Sequence, residues 1–253
     1  MPSKCESLAA ARKCFDRDGF VAMRGFLSQT EVDELQREID RYIARLPELP
    51  SQDSFFEDRN DPMSLFRLDG MHRHDVYFRD ITANARYARV AEALLGEPID
   101  SRGSQMFGKA PRIGNETPAH QDAYYWKIEP PYGLTMWIAL DKSDRENGCV
   151  CYVPGSHRGG FRPHGKSTVF GFSQGLLEYT DEDRATEVAI EAERGDLTVH
   201  HGMTVHRADA NPSDRRRWAL GLVYFAAQCR RADHPQIDPD GDAKAQWKAA
   251  GRL

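Results

Sequence analysis

The stretch TPAHQDAYYW, residues 117–126, sets His120 and Asp122 two positions apart beside an aromatic run. Imidazole and carboxylate are donors for a divalent transition metal. On a strand, residues i and i+2 point to the same side, so the His-x-Asp spacing would place both donors on one face. The tripeptide alone is too common to define a site, and a metal would need a third ligand. The segment GDLTVHHGMTVHRADANPSDRRRWALGLVYF offers His200, His201 and His206. Gly195 and Asp196 read as a turn, followed by a strand carrying His200 and His201, and a second turn that delivers His206. Two histidines and one carboxylate from a strand pair and a later strand match the facial triad that holds ferrous iron and leaves positions open for a cosubstrate and dioxygen. One of the adjacent pair His200 and His201 must point away from any common site.

Arg217 stands eleven residues beyond His206 and opens the last expected strand. If that strand lies beside the one bearing His206, its guanidinium points into the barrel. There it can clamp the remote end of a dicarboxylate in two parallel hydrogen bonds, which a lysine would not match. At these residues the sequence resembles the phytanoyl-CoA dioxygenase family of iron(II)- and 2-oxoglutarate-dependent oxygenases. The resemblance covers about residues 15–228 and rests on HQD, on MWIALDKSDRENGCVCYVPGSHRGG, on HHGMTVHRADAN and on Arg217.

The resemblance implies that His120, Asp122 and His206 ligate iron(II) and that Arg217 binds the 5-carboxylate of 2-oxoglutarate. It implies a cosubstrate-pocket role for Trp137, with Gln121 and Arg67 as further contacts; Arg67 stands where a lysine is more usual. The spacing to Arg217 favours His206 over His200 and His201. Related halogenases replace the ligand carboxylate with a small residue, whereas this chain keeps Asp122. The implied activity is therefore hydroxylation of a C–H bond of a small organic molecule, with O2 as second cosubstrate and succinate and CO2 as products. Two rivals use the same barrel otherwise: a cupin-like isomerase or hydrolase without 2-oxoglutarate, and a non-catalytic ligand-binding jelly roll. Both leave Arg217 unexplained. Tyr124 and Trp126, on one face of a strand so close to the ligands, are the candidate substrate contacts, with Tyr125 on the other face. Lys109, Arg112, Lys127, Arg158 and Arg162 are candidate grips for an anionic substrate.

The elements that must carry these residues follow from pattern. In LSQTEVDELQREIDRYIARLPELP, Ser28 and Glu31 form a capping-box signature, and Val32, Leu35, Ile39, Ile43 and Leu46 recur at helical spacing until Pro47 and Pro50. TANARYARVAEALLGEP reads as a second helix closed by Gly96. Between them SQDSFFEDRNDPMS reads as a loop, and residues 47–66 and 158–185 as covers over the site. From about residue 104 the pattern becomes short β-like runs: 104–109, 118–126, 134–141, 148–154, 187–192, 197–202, 205–208 and 216–226. This predicts a mainly β fold with flanking helices, a double-stranded β-helix or jelly roll, in one domain: helical over about 1–100, barrel over 104–228, tail over 229–253.

The bulk numbers agree. A 253-residue chain with 40% hydrophobic and 29% charged residues is globular in composition. A net charge of -5 disfavours a nucleic-acid binder, Arg215 to Arg217 being the only basic run. No apolar stretch approaches the roughly 20 residues that span a bilayer, and MPSKCESLAAARKCF lacks a signal-type apolar run, so a cytoplasmic protein without membrane contact is expected. Five cysteines without a C-x-x-C pair argue against a disulfide framework or zinc ribbon, and Cys149 and Cys151 read as buried thiols on one strand face. The oligomeric state is left open.

Overall fold

Local signals start and stop the helices where chain chemistry demands. The computed structural model describes residues 7–232 and 241–249, so residues 1–6 of the amino-terminal stretch and parts of the expected tail, 233–240 and 250–253, lie outside the described residues. Ser7 accepts a hydrogen bond from the Ala10 amide to open α1 (Leu8–Asp18), and Gly19, in the left-handed region at φ 84°, closes it. β1 (Phe20–Met23) follows at once. The expected capping box opens α2 (Gln29–Ala44): the Ser28 side chain takes the Glu31 amide while the Glu31 carboxylate accepts from Ser28 N at 2.7 Å. Val32, Leu35, Ile39 and Tyr42 form its buried face.

The segment read as a loop is not one throughout. β2 (Ser54–Phe56) and β3 (Leu65–Leu68) pair with each other, and β3 joins the barrel wall. The apolar pairs Phe55–Phe56 and Leu65–Phe66 are too short to show a period amid polar turn residues, and tertiary pairing decides their state. Three helices follow, α3 (Met71–His74), α4 (Val76–Thr82) and α5 (Ala85–Leu95), the last capped by Asn84 and stopped at Gly96.

The β region then runs through β4 (Ile99–Lys109), β5 (Thr117–His120), the helical turn α6 (Ala123–Trp126), β6 (Ile128–Glu129), β7 (Gly133–Ala139), β8 (Val150–Tyr152), β9 (His164–Lys166) and β10 (Gln174–Leu176). It continues through α7 (Asp181–Thr186), β11 (Val188–Ile190), β12 (Leu197–His201), β13 (His206–Ala208), β14 (Arg217–Ala226), β15 (Arg230–Arg231) and α8 (Gly241–Ala249). A seven-stranded sheet in the order β1, β12, β7, β14, β4, β3, β2 faces a four-stranded sheet in the order β11, β8, β13, β5. The result is the expected mainly β jelly roll with helices flanking it. No helix among the described residues is long and apolar enough to cross a membrane.

The period-2 rule assigns the faces of the large sheet. Leu134, Met136 and Ile138 of β7, Leu197 and Val199 of β12, and Leu220, Leu222 and Tyr224 of β14 share one core with the buried residues of α1, α2 and α5. The intervening residues, among them Thr135, Trp137, Thr198, His200, Arg217 and Ala219, therefore face the barrel interior. One face builds stability, at about 1.5–3 kcal/mol for each large apolar side chain removed from water. The other is left for chemistry.

Candidate metal and cosubstrate site

His120 ends β5 and His206 begins β13, and the two are direct cross-strand partners. Their ring centroids are 4.2 Å apart. Each imidazole gives Nδ1 to a backbone carbonyl two residues earlier, His120 to Pro118 at 2.8 Å and His206 to Thr204 at 3.0 Å. With Nδ1 so engaged as donor, Nε2 is the free acceptor nitrogen on both rings. Asp122 does not lie on a strand with His120, contrary to the expected strand 118–126. The chain turns after His120, and amides of Tyr124 and Tyr125 bond back to the carbonyls of Gln121 and Asp122 while Ala123 N donates to Gly202. The turn swings the Asp122 carboxylate inward, to 3.3 Å from His120 Nε2 and 3.7 Å from His206 Nε2. Ligand atoms of His120, Asp122 and His206 all lie within 4.8 Å of one another.

The second carboxylate oxygen of Asp122 is held from the large sheet, by the Thr135 hydroxyl at 2.6 Å and His200 Nε2 at 3.0 Å. His200 Nδ1 in turn meets the Tyr152 hydroxyl at 3.2 Å. Oδ2 is thereby fixed and Oδ1 is turned toward the two histidines. Burial opposes ionisation of Asp122, but His206, His120 and His200 outweigh it and hold the carboxyl well below its usual range. Burial, reinforced by His120 and His200, pushes His206 far below the usual imidazole value, against the pull of Asp122. A carboxylate and neutral imidazole suit a divalent first-row metal.

Arg217 starts β14 and lies 3% exposed in the wall of the same cavity, which has a volume of about 460 Å³. Its Nε has no hydrogen-bond partner, and the guanidinium forms no ion pair among the described residues. The guanidinium carbon sits 5.4 Å from the Trp137 ring centroid. Burial lowers its pKa to about 10, so it remains a cation at neutral pH. A buried, uncompensated guanidinium is costly unless an anion completes it.

The family model for phytanoyl-CoA dioxygenase matches residues 15–219. This chain belongs to the phytanoyl-CoA dioxygenase family. Phytanoyl-CoA dioxygenase domain-containing protein 1 of Bos taurus is 30% identical over 249 residues, covering 81% of this chain and 85% of that protein. Among solved structures, the non-heme alpha-ketoglutarate-dependent epimerase SnoN from nogalamycin biosynthesis is 26% identical, with a TM-score of 0.71, covering 91% of this chain and 87% of that one. The non-heme alpha-ketoglutarate-dependent carbocyclase SnoK from the same biosynthesis is 25% identical, with a TM-score of 0.73 and coverage of 97% and 93%.

Within this family member the remaining candidates divide. Arg67 lines the cavity, with Nε on Asp69 at 2.7 Å and Nη1 on the Gly171 carbonyl at 2.7 Å. Gln121 stands apart: it is fully buried, and its amide is engaged by the carbonyls of Gly160 and Met203 and the Arg162 amide. Tyr124 also leaves the cavity and stacks on His164 at 3.9 Å, whereas Tyr125 and Trp126 line it. The expected pairing of Tyr124 with Trp126 assumed a strand; in the helical turn α6 consecutive residues are about 100° apart, which groups Tyr125 with Trp126. Of the cationic candidates, Arg112 is paired with Asp214 and Arg162 with Asp183, and Arg158 binds carbonyls of Asp16 and Arg17. Lys109 is buried beside Arg217 and donates to the Asn115 carbonyl. Segment 158–185 does cover the site: Gly171, Phe172 and Ser173 line the cavity, and Phe172 lies 5.7 Å from His120.

His200 and Thr135 are the site residues that motif spacing missed. Strand parity carried the signal, because Leu197 and Val199 face the helices and His200 must face the other way. His201 faces α1, 6.0 Å from Phe15, and accepts the Met203 amide at 3.0 Å. Burial lowers its pKa to about 3, and lowers that of His164 to about 4, from 6.5. Between about pH 4 and 6.5 the unfolded chain therefore binds protons that the folded one refuses, so stability is whole above 6.5 and falls on acidification. Each such histidine contributes a slope of up to about 1.4 kcal/mol per pH unit. Denaturant titrations from pH 7 to 4.5 are expected to show this loss, and His201→Asn to lessen it by close to one proton; equal slopes in both proteins would refute the assignment.

Proposed function

We propose that this protein is an iron(II)- and 2-oxoglutarate-dependent oxygenase that hydroxylates a C–H bond of a small organic molecule. The observation that carries the reading is the pairing, in one cavity, of a His-Asp-His cluster with a buried guanidinium that has no counter-ion. The donor set fits iron(II), and the orphaned Arg217 Nε fits a carboxylate, so the residues present suit both groups. His120, Asp122 and His206 would hold the metal; Arg217, stacked toward Trp137, would take the 5-carboxylate of 2-oxoglutarate, with Arg67 as a further wall of the pocket. When bound, iron(II) and 2-oxoglutarate supply the oxidation, in which one atom of O2 enters the substrate C–H bond and the other enters succinate as CO2 leaves.

The chain's own contribution is order and dryness. Asp122 keeps one oxygen toward the metal position because Thr135 and His200 hold the other. Tyr125, Trp126, Phe172, Phe107, Val223 and Phe225 wall the cavity with apolar surface that excludes water from the reacting carbon. Groups behind a ligand typically change metal affinity about 10–100-fold. His200→Phe is accordingly expected to weaken iron(II) binding by about that factor, while His200→Gln, which keeps a donor, loses much less; competition with a chromogenic chelator measures both. The decisive test is anaerobic titration of the protein with iron(II) and 2-oxoglutarate, followed by the visible charge-transfer absorption of a chelated 2-oxo acid. Iron binding without that band would reject the oxygenase reading and favour a cupin-like isomerase or hydrolase.

A further inference from the structure

Five arginines line the cavity: Arg67, Arg73, Arg102, Arg207 and Arg217. Three are neutralised by carboxylates, Arg67 by Asp69 at 2.7 Å, Arg73 by Asp53 at 3.2 Å, and Arg207 by Glu187 and Asp209. Arg217 is assigned above to the cosubstrate. Arg102 is left, and among the described residues no carboxylate pairs with it. It lies at the other side of the cavity, on β4, its guanidinium 5.0 Å from the centroid of the Phe225 ring.

Arg102, Trp126 and Phe225 also line a second cavity of about 280 Å³, so the two spaces adjoin along these side chains. The second is further lined by Lys127, Arg230 and Arg231, with Asp100 as the one acid in its wall. None of these three cations has an ion pair among the described residues; Arg230 donates to the carbonyls of Ala227 and Cys229, and Glu129, its cross-strand partner, forms no salt bridge with it. Lys127 holds its place through a left-handed backbone (φ 50°), rare for a side-chain-bearing residue, and its carbonyl accepts the Ala232 amide at 3.0 Å. Four cations around one cleft repel one another, and an oxyanion that accepts charge-assisted hydrogen bonds from them relieves that repulsion.

We propose that the substrate is an organic oxyanion whose apolar body lies against Trp126, Phe225 and Tyr125 beside the triad, and whose carboxylate or phosphate sits in the cleft formed by Arg102, Lys127, Arg230 and Arg231. The placement of the body rests on the oxygenase reading; the anion cleft stands on its own lining. Anaerobic calorimetric titrations test it, with iron(II) and saturating 2-oxoglutarate present so that Arg217 is occupied. Benzoate, phenyl phosphate and the neutral benzyl alcohol are the probes. Two or more partly exposed charge pairs give about 1.4 kcal/mol, so at least one anion is expected to bind about tenfold more tightly than the alcohol. Added salt should weaken that preference. Whether benzoate or phenyl phosphate binds better tells carboxylate from phosphate. In Arg102→Gln/Lys127→Gln, the first position exposed and the second half-buried, the preference should fall to within about twofold. Equal binding of all three probes, or an undiminished preference in the double variant, overturns the proposal. The visible band of the wild-type complex, read on the same sample, reports separately on the oxygenase reading.

Discussion

Asp122→Ala is expected to lose measurable iron(II) binding at micromolar metal and all succinate formation, while retaining a cooperative fold. The carboxylate is the anionic member of the triad, and its removal leaves His120 and His206 without an anionic co-ligand and the Thr135 and His200 donors without their acceptor. Removing one partner of a buried charge pair costs about 3–5 kcal/mol, which corresponds to a loss on the order of 10³-fold in affinity. The fold should survive because Asp122 lies beyond the end of β5, and the ladder between His120 and His206 does not use its side chain. Chelator competition for iron, succinate assay and far-UV circular dichroism on one preparation check the three parts. Wild-type turnover in this variant would remove Asp122 from the chemistry.

Arg217→Ala should separate the two halves of the site. Iron(II) affinity is expected to change little, because Arg217 contacts none of the three ligands. Affinity for 2-oxoglutarate should fall by about 2–5 kcal/mol, roughly 30- to several-thousand-fold, as expected when a buried carboxylate loses its guanidinium. Burial leaves the Arg217 pKa at about 10, so the wild-type affinity should hold across neutral pH and weaken only as pH rises toward that value. Arg217→Lys should recover part of the loss, since it restores charge but not the two-pronged geometry. The visible band titrated with 2-oxoglutarate at fixed iron(II) measures each variant; an unchanged titration in Arg217→Ala would send the cosubstrate elsewhere.

Much of this architecture can be read from the chain itself, and the exceptions share a cause. The α2 capping box, the Gly96 stop and the strands β7, β8, β11, β12, β13 and β14 arise from local chemistry and strong periodicity, which sequence displays, whereas β9, β10 and β15 fall in segments read as cover and tail. β1, β2 and β3 are short strands whose state is set by tertiary pairing: β1 by the distant β12, β3 by β4, and β2 by β3 once that is in place. The run Tyr124, Tyr125 and Trp126 has high strand propensity, yet it forms a helical turn because Ala123 is anchored to Gly202. That one override reassigns the pocket-facing aromatics. His200 reads in the sequence only as a rival third ligand, for a different reason: two adjacent histidines look like alternatives for a single role, whereas the pleat gives each its own side of the sheet.

The strand order carries a consequence for how the protein is made. β1 pairs with β12, and Phe20 meets His200 across 180 positions of chain (200 − 20). β7, in the interior of the large sheet, finds its two neighbours β12 and β14 only after both have been synthesised. During synthesis on the ribosome the early strands therefore wait with unsatisfied edges, and closure of the sheet is a late, non-local and slow event. His120 and His206 likewise meet only once β13 has emerged to pair with β5 in the smaller sheet. A metal ion thus has no assembled site to enter until β5 and β13 have paired, and the apo chain must reach its native topology without help from the metal.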